Sequence, residues 1–451
     1  MIKKYSLKFW IIFWTYSSLF LFAWFLFWNC KNQGVGTTVS QLIEYFPIES
    51  VQKKQFQTLV ELGDYFYSSK ETVLLILFQN NLEIRPGGGF LGAFAIVKIK
   101  NGSIISMETH DLSNFDKQIP NIIAPPYPMK EIGYVDFWKM RDSNFSPDFA
   151  TNARKAEEFY TLGGGKEKVD WVVGITANML TSILKITGPI QVEDYPGTYS
   201  SENAVIGLEY QVEKAFETQG IPRGERKSVI NELAKEIENR VFSFSIPQKC
   251  QLVNIIIADL TKKDIQLYFQ NPDLQTKASA ALWTGSVDQS WNKDFLMTVD
   301  ANLGSFKSDY YVKRSIDYFV DLSKKPAEAQ LKITYQHTAK QKDWMTRDYV
   351  DYLRVYVPEN SQLIEQKNIK YVNYKEEFGK GYFDGAVVVP INSTVEVEIH
   401  YDLPDSIKNE YGLKIQKQAG LNDIPVTLHL RKADGAETQF SKTMNSDIIF
   451  K

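Results

Sequence analysis

A short segment rich in glycine holds the most concentrated set of groups that could do chemistry. It runs from Asn80 to Phe90 and places Arg85 directly before a glycine triplet. Consecutive glycines permit positive φ and close backbone approach, so their amides can form an anion-binding nest beside a guanidinium. The alternative is a tight strand connection in which the glycines only turn the chain and Arg85 pairs with an acid such as Glu83. The candidate anion site consists of Asn80, Arg85, Gly87, Gly88 and Gly89.

Two carboxylates farther along the chain are candidate ligands for a hard cation. Asp111 and Asp116 lie in polar surroundings, and carboxylate oxygens are the ligands that Mg²⁺ prefers. A second polar stretch contains Asp142, Asn144 and Asp148, residues that are equally common in turns and helix caps. Such ligands suit Mg²⁺ or Ca²⁺, and Mg²⁺ is the candidate cofactor, with Asp111 and Asp116 as its predicted ligands.

Histidine and cysteine give little support for nucleophilic catalysis. The four histidines show no ligand spacing, and three of them, His337, His400 and His429, fall on predicted solvent faces of strands. No Ser-His-Asp or Cys-His arrangement can be proposed from them, so catalytic residues remain unassigned. With only two cysteines the fold cannot depend on a disulfide framework. Cys250 is predicted to be a small buried hydrophobic residue.

The elements that must position these groups follow from the periodicity of apolar residues. Val73 to Phe78 is a continuous apolar run that predicts a buried strand before the glycine segment. Gly92 to Lys100 and Ser103 to Met107 predict a hairpin after it. The two runs are joined by Asn101-Gly102, which readily adopts the positive φ angles of a tight two-residue turn. A sheet is therefore predicted on both sides of the glycine segment.

The middle of the chain alternates between strand and helix patterns. Val169 to Ile175 predicts a strand, and Ala177 to Ile186 a helix that stops at Gly188-Pro189. Further helices are predicted at 202–217, 224–242, 247–261 and 272–282, with strands at Ile265 to Phe269 and Phe295 to Val299. This alternation predicts a layered α/β/α domain over residues 71–325.

From Ala329 onward the apolar residues alternate with a period of two. Leu331, Ile333 and Tyr335, for example, alternate with polar residues, as they do in a strand with one buried face. At least six such runs, separated by turns rich in Pro, Asn and Gly, predict an immunoglobulin-like β-sandwich over residues 326–451.

The N-terminal region predicts a membrane anchor. Phe9 to Trp28 contains no formally charged side chain and is preceded by Lys3, Lys4 and Lys8. Its 20 residues would span roughly 30 Å as a helix, which matches the hydrocarbon core of a bilayer. The alternatives are a cleaved signal peptide and a lipoprotein signal at Cys30, but bulky residues stand where small ones are needed.

Orientation follows from the lysines, because basic residues near a span stay on the cytoplasmic side. We expect a single-pass protein of the cell membrane with its N-terminus in the cytoplasm and the bulk of the chain outside. Residues 1–30 form the cytoplasmic tip and transmembrane anchor, and residues 31–70 a spacer and stalk helix. The chain has a net charge of −3 and therefore lacks the excess of basic residues expected of a nucleic-acid-binding protein.

Several segments together resemble the bacterial family catalogued as domain of unknown function 4012. They are Asn80 to Gly92, Ser143 to Phe149, Val169 to Val192, Trp283-Thr284-Gly285, and Ala301 to Gly304 with Lys307. The resemblance covers roughly residues 71–315. It extends into the β-rich tail through Tyr401 to Pro404 and Gln416 to Gly420.

More remotely, Val169 to Val173 and Gly188 to Val192 are similar to a strand-helix stretch of the LytR-CpsA-Psr family. That similarity implies a membrane-anchored extracytoplasmic enzyme that transfers glycopolymer from a polyprenyl-pyrophosphate carrier to the cell wall. In that family arginines hold the pyrophosphate and acids hold Mg²⁺, but its Arg-x-Asp-Thr and Ile-Pro-Arg-Asp motifs do not occur here. Asn80, Arg85, Asp111 and Asp116 occupy only loosely corresponding places.

Two functions therefore compete. The first is a cell-envelope protein that binds or organises an envelope component, either a cell-wall glycopolymer or a lipid-linked carrier. The second is a Mg²⁺-dependent phosphotransferase in which Arg85 and the glycine amides hold pyrophosphate while Asp111 and Asp116 hold the metal. The enzyme hypothesis requires Arg85, Asp111 and Asp116 to surround one cleft. We favour the binding protein, because the sequence lacks a recognisable catalytic constellation.

Overall fold

The structure is a computed structural model that describes residues 49–407 and 411–450, with single positions 24, 28, 29, 31 and 38. Apart from Trp24 and Trp28, the predicted membrane span from Phe9 to Trp28 lies outside these described residues. None of the helices within the described part of the chain combines the length and apolar character needed to cross a bilayer. The single-pass topology and its orientation therefore stay predictions.

The first half of the described chain is a mixed α/β domain. Its strands are β1 (Thr72–Asn80), β2 (Phe90–Lys100), β3 (Ser103–Asp111), β4 (Trp171–Thr176), β5 (Ile190–Gln191), β6 (Thr198–Tyr199) and β7 (Ile265–Phe269). Its helices are α1 (Ser50–Phe66), α2 (Leu112–Phe115), α3 (Phe149–Leu162), α4 (Ala177–Thr187), α5 (Ala204–Tyr210), α6 (Phe216–Thr218), α7 (Ser228–Phe242), α8 (Ile246–Lys262) and α9 (Pro272–Ala280). A π-helical turn, Gln211–Ala215, joins α5 to α6.

Five strands form the sheet of this domain in the order β3-β2-β1-β4-β7. Only the β1–β4 pair is parallel among the pairings of this sheet. The predicted hairpin between β2 and β3 is confirmed, with positive φ at both Asn101 and Gly102. Leu75 and Leu77 of β1 pack on α3, while Leu74 packs on the opposite side with α1, α8 and α9. Helices thus cover both faces, and the prediction of an α/β domain is confirmed at this level.

The second half is built from two further mixed sheets. Its strands are β8 (Asp294–Val299), β9 (Val312–Asp321), β10 (Ala327–His337), β11 (Tyr349–Val357), β12 (Gln362–Lys367), β13 (Lys370–Glu377), β14 (Lys380–Val389), β15 (Thr394–Leu403), β16 (Leu413–Ile415), β17 (Ile424–Arg431), β18 (Glu437–Met444) and β19 (Ile448–Phe450). One six-stranded sheet has the order β12-β15-β10-β9-β17-β18 and the other β13-β14-β11-β8-β16-β19. Both sheets contribute to a single apolar core, which includes Leu331, Ile333 and Tyr335 from β10 and Leu353 and Val355 from β11.

Strand pairing assigns two strands before residue 326 to these sheets. β8 lies between β11 and β16, and β9 lies between β10 and β17. The β17–β9 and β16–β8 pairs are parallel, so these sheets are mixed. The division of the chain into domains at residues 325 and 326 stays a prediction.

Two side chains differ from their predicted environments. Cys250 was expected to be buried but is exposed on α8, because its helix covers the sheet through other positions. His337 was expected on a solvent face but is only 1 % exposed, with Nε2 3.0 Å from the carbonyl oxygen of Arg347. The reason is parity: His337 lies two residues after Tyr335 and therefore on the inward face of β10.

Candidate functional site

The glycine segment is a buried loop. Residues 81–89 are all buried, and the loop is closed by backbone hydrogen bonds from Glu83 to Asn80 at 3.2 Å and from Phe90 to Glu83 at 2.9 Å. The Gly87 amide donates to the Asn144 carbonyl at 3.0 Å, and the Gly88 amide donates to the Arg85 carbonyl at 2.8 Å. Two of the three glycine amides proposed for anion binding are therefore engaged by carbonyl oxygens.

The Arg85 side chain is buried and donates hydrogen bonds to other groups of the chain. Its side chain is 6 % exposed, and Nη2 donates to the Glu83 carboxylate at 2.8 Å. Nη1 donates to the carbonyl oxygen of Asn302, in the segment between β8 and β9, and to that of Ile84 at 3.2 Å. A buried guanidinium requires such partners to offset its desolvation. This arrangement matches the structural alternative considered for the segment, in which Arg85 pairs with Glu83.

The tail segment Gln416 to Gly420 meets the glycine loop from the other side. The Gln418 side chain donates to the Arg85 carbonyl at 3.1 Å and to the Asp300 carbonyl at 2.8 Å. The Asn81 side chain donates to the Gly420 carbonyl at 3.0 Å. We call this contact between the α/β domain and the two further sheets the junction, defined by Asn81, Glu83, Arg85, Gly88, Asn302, Gln418 and Gly420.

The segment around Asp142 also supports the junction. Asn144 donates to Gln79 at 3.0 Å and to the carbonyl oxygen of Gly89. Asp148 accepts a hydrogen bond from the Thr151 amide at 2.9 Å and is the N-cap of α3, one of the ordinary roles open to residues of this stretch. Burial raises the pKa of Asp142 to about 6, although Arg85 and Arg141 oppose that shift.

Asp116 and Asp111 do not share a partner. Asp116 is buried. Its carboxylate accepts hydrogen bonds from Arg141 Nε at 2.5 Å and from the Met140 amide at 3.1 Å. Burial raises its pKa despite Arg141. Within the described residues, no group of three His, Cys, Asp or Glu side chains is placed to hold a metal ion. Mg²⁺ binding by Asp111 and Asp116 stays a prediction.

Asp111 lies at the end of β3, where it also caps α2. Its Oδ1 accepts from the Ser113 amide at 2.8 Å and from Lys227 Nζ at 2.9 Å. Lys227, the residue before α7, also donates to the Gly92 carbonyl at 2.5 Å. Burial opposes ionisation of Asp111, but hydrogen bonds from Ser113 and Lys227 outweigh it and lower its pKa. Burial lowers the pKa of Lys227 even though Asp111 favours its charge.

These two residues line an open cleft of about 530 Å³ between the β2–β3 hairpin, α2 and the start of α7. Its polar lining includes Thr109, His110, Asn114, Gln118 and Asn231, and its apolar lining Phe78, Phe115 and Ile230. Neither Arg85 nor Asp116 belongs to that lining.

Several polar groups in the cleft are uncommitted. Across the described part of the chain, no hydrogen-bond partner is found for the ring nitrogens of His110, the Asn231 amide nitrogen or the Gln118 side-chain amide. Asp111 Oδ2 is likewise unpartnered there, on a side chain that is 10 % exposed. Burial lowers the pKa of His110 and so favours the neutral form of its ring, although Glu108 opposes that shift. The cleft thus presents neutral donors and acceptors around the Asp111–Lys227 ion pair, and the exposed carboxylate of Glu225 lies at its edge.

Sequence reasoning identified Asp111 but not Lys227 or Asn231. Lys227 contacts Asp111 across 116 positions of the chain, and Asn231 accepts from Thr109 across 122. No local spacing signals either contact, because it depends on the placement of α7 against β3.

Comparison with known proteins identifies part of the chain. The family described as "Protein of unknown function (DUF4012)" matches residues 70–212. A search of curated protein sequences finds no match. Among solved structures, the Lin1025 protein from Listeria innocua is 15 % identical with a TM-score of 0.27, over 48 % of this chain and 80 % of that one. Lmo1026 from Listeria monocytogenes is also 15 % identical, with a TM-score of 0.26, over 51 % of this chain and 85 % of that one.

TM-scores this low carry no argument about function. The sequence match includes β1 to β4, the glycine loop and Asp111, and therefore covers one side of the junction and much of the cleft. Residues 70–212 are thus the part of the chain that matches the family described as "Protein of unknown function (DUF4012)".

Proposed function

We propose that the chain is a single-pass, extracytoplasmic protein of the cell envelope and that the cleft beside Asp111 and Lys227 binds a hydroxyl-rich envelope component. The observation that carries this proposal is the set of uncommitted polar groups in one open cleft. The apolar run from Phe9 to Trp28 and its preceding lysines support the compartment.

The chemistry of the cleft favours a neutral, hydroxylated ligand. The Asp111–Lys227 pair already neutralises its two charges, so a strongly charged ligand would have to break that pair. Neutral His110, Asn231 and Gln118 can each exchange hydrogen bonds with hydroxyl groups. Phe115 and Ile230 supply the apolar walls that such sites use to exclude water.

We also propose the finer fold assignment, a LytR-CpsA-Psr-like α/β/α domain followed by an immunoglobulin-like sandwich. The phosphotransferase remains the alternative function. The alternative requires Arg85, Asp111 and Asp116 around one cleft. Arg85 pairs with Glu83 in the junction, Asp116 pairs with Arg141, and Asp111 lines the cleft. The geometry therefore gives more support to binding than to transfer.

Calorimetric titration of the purified full-length protein with a neutral sugar, the disaccharide of β-1,4-linked N-acetylglucosamine, tests the proposal. We expect Asn231→Leu and Lys227→Met each to weaken binding by about tenfold or more, because each removes polar groups from the cleft. Lys235→Met is the matched control, since Lys235 lies on the same helix with a side chain that is 66 % exposed.

Two results would count against the proposal. Equal affinity of wild type and both cleft variants would place the ligand elsewhere. Tight binding of polyprenyl pyrophosphate with Mg²⁺, lost in Asp111→Asn, would favour the alternative. Thermal melting of each variant checks that lost binding does not reflect lost folding.

A further inference from the structure

The outer face of the sheet β12-β15-β10-β9-β17-β18 carries a second polar surface, far from the cleft in sequence. A shallow depression of about 670 Å³ lies over strands β9, β10, β15, β17 and β18. The side chains beneath it alternate with the core residues of the same strands, so they can vary without disturbing the core. We call this surface the outer-sheet face.

Strand register aligns one row of side chains across the outer-sheet face. His429 pairs with Gln439 on one side and with Phe319 on the other, and Gln330 lies between Phe319 and His400. The row thus runs Gln439, His429, Phe319, Gln330 and His400. With strands about 4.8 Å apart, its five positions span roughly 19 Å. A row of this length suits several consecutive units of an extended polymer.

An aromatic stack lies at the centre of the row. The rings of Phe319 and His429 lie 4.2 Å apart with an interplanar angle of 6°. Phe319 is 38 % exposed although it is a large apolar residue in the middle of a sheet. Each ring restricts the other, so the stack is preorganised and little entropy is lost when a ligand contacts it. Carboxamides on both sides, from Gln439 and Gln330, add hydrogen-bonding groups next to the apolar rings.

Charged groups around the row are paired with one another. Arg431 contacts Asp321 at 3.2 Å and Glu437 at 2.7 Å. Glu328 accepts from Lys324 at 2.5 Å and lies 2.9 Å from His400 Nε2. The outer-sheet face therefore presents no field of a single sign, which argues against a polyanion such as nucleic acid. Complementarity favours a neutral ligand with both hydroxyl groups and apolar patches.

We propose that the outer-sheet face is a second binding site, for an extended neutral glycan. Sugar rings combine apolar C–H surfaces, which would lie against Phe319 and His429, with hydroxyls for Gln330 and Gln439. Two-sheet β folds are a recurrent scaffold for such recognition. This site shares no residue with the cleft, so its existence does not depend on the function proposed for the cleft.

The test uses the full-length protein and a soluble hexamer of β-1,4-linked N-acetylglucosamine as the probe. We expect saturable binding by calorimetry, weakened by about tenfold or more in Phe319→Ala and in Gln330→Leu. Phe440→Ala is the matched control, because Phe440 is 45 % exposed on the neighbouring strand β18 and points to the opposite face from Gln439. Lys235→Met, at an exposed position of α7 outside both sites, should likewise leave binding of this probe unchanged.

Three outcomes would overturn the proposal. The first is no binding of the hexamer by folded wild-type protein at millimolar concentrations. The second is equal weakening by Phe319→Ala and Phe440→Ala, and the third is loss of hexamer binding in Asn231→Leu alone, which would move the glycan to the cleft. Changes in the chemical shifts of the Phe319 and His429 ring signals in NMR spectra on addition of the hexamer would support the site directly.

Discussion

At the scale of single residues, the family motifs are explained better by packing than by catalysis. Arg85 and Gly88 look like functional residues in the sequence, because arginine and glycine clusters often bind anions. In the fold Arg85 pairs with Glu83, and its carbonyl accepts from Gln418. The carbonyl of Gly88 lies against Gly420 at the same junction. These residues of the family-like segments thus hold two parts of the chain together.

Gly420→Ala tests the junction. Gly420 has φ +78°, and a Cβ there would overlap the carbonyl oxygen of Gly88. We expect a loss in the free energy of unfolding of about 3 kcal/mol, from the positive φ and the overlap together. Gly435→Ala is the control: its φ is +84° but nothing lies near its added Cβ, so about 1 kcal/mol is expected in urea denaturation. Equal losses would show that the Gly88 contact contributes nothing.

Arg85→Ala tests the buried ion pair. The substitution leaves the Glu83 carboxylate buried without its partner, and we expect destabilisation by about 3–5 kcal/mol. Arg431→Ala removes an arginine whose side chain is 50 % exposed, so a change below about 1 kcal/mol is expected. If Arg85→Ala instead leaves stability unchanged but abolishes binding of pyrophosphate, the anion-site hypothesis regains its support.

Asp294 makes stability depend on pH. Burial raises its pKa to about 6, although Tyr411 and Tyr318 donate to its carboxylate. Between about pH 4 and 6 the folded state keeps a proton that the unfolded state has released, so this group's contribution to stability is lost as pH rises through 6. Relative to Asp294→Asn, the wild type should lose on the order of 3 kcal/mol from pH 3 to pH 7. Parallel stability curves for the two proteins would disprove this.

At the scale of elements, local signals predict well and distant contacts do not. The Asn101-Gly102 hairpin, the strand Ile265–Phe269 and the helix from Ala177 were all readable, because their turn chemistry and periodicity are encoded within a few residues. The hydrogen bond from Gln418 to the Arg85 carbonyl could not be predicted in this way, since it joins positions 333 residues apart. Lys227 was missed as a partner of Asp111 for the same reason, because 116 positions separate the two residues.

β8 should be necessary for the second half of the chain to fold. It lies between β11 and β16, so its removal would expose the middle of a six-stranded sheet. We expect a fragment of residues 286–451 to unfold cooperatively in urea and a fragment of 326–451, which also lacks β9, to show no cooperative transition. Cooperative folding of the shorter fragment would show that β8 and β9 are dispensable.

At the scale of the whole molecule, exposed Cys250 offers a test of compartment. In a Cys30→Ser variant, Cys250 is the sole remaining cysteine, on the exposed side of α8. We expect it to react with a membrane-impermeant maleimide in intact cells, because the proposed topology places it outside. A further Cys250→Ser change removes the signal as a control. Labelling that occurs only after the cells are permeabilised would reverse the proposed orientation.

The junction also has a consequence in time. The Arg85 carbonyl is synthesised 333 residues before its Gln418 partner. At about 5–20 residues per second, a ribosome needs roughly 20–70 s to make the intervening chain. Throughout that interval the glycine loop lacks its contacts with Gln418 and Gly420, although every strand of the sheet beside it has been made once the ribosome passes Phe269. Newly made protein therefore passes through a long stage in which a charged, half-formed surface is open to chaperones and proteases.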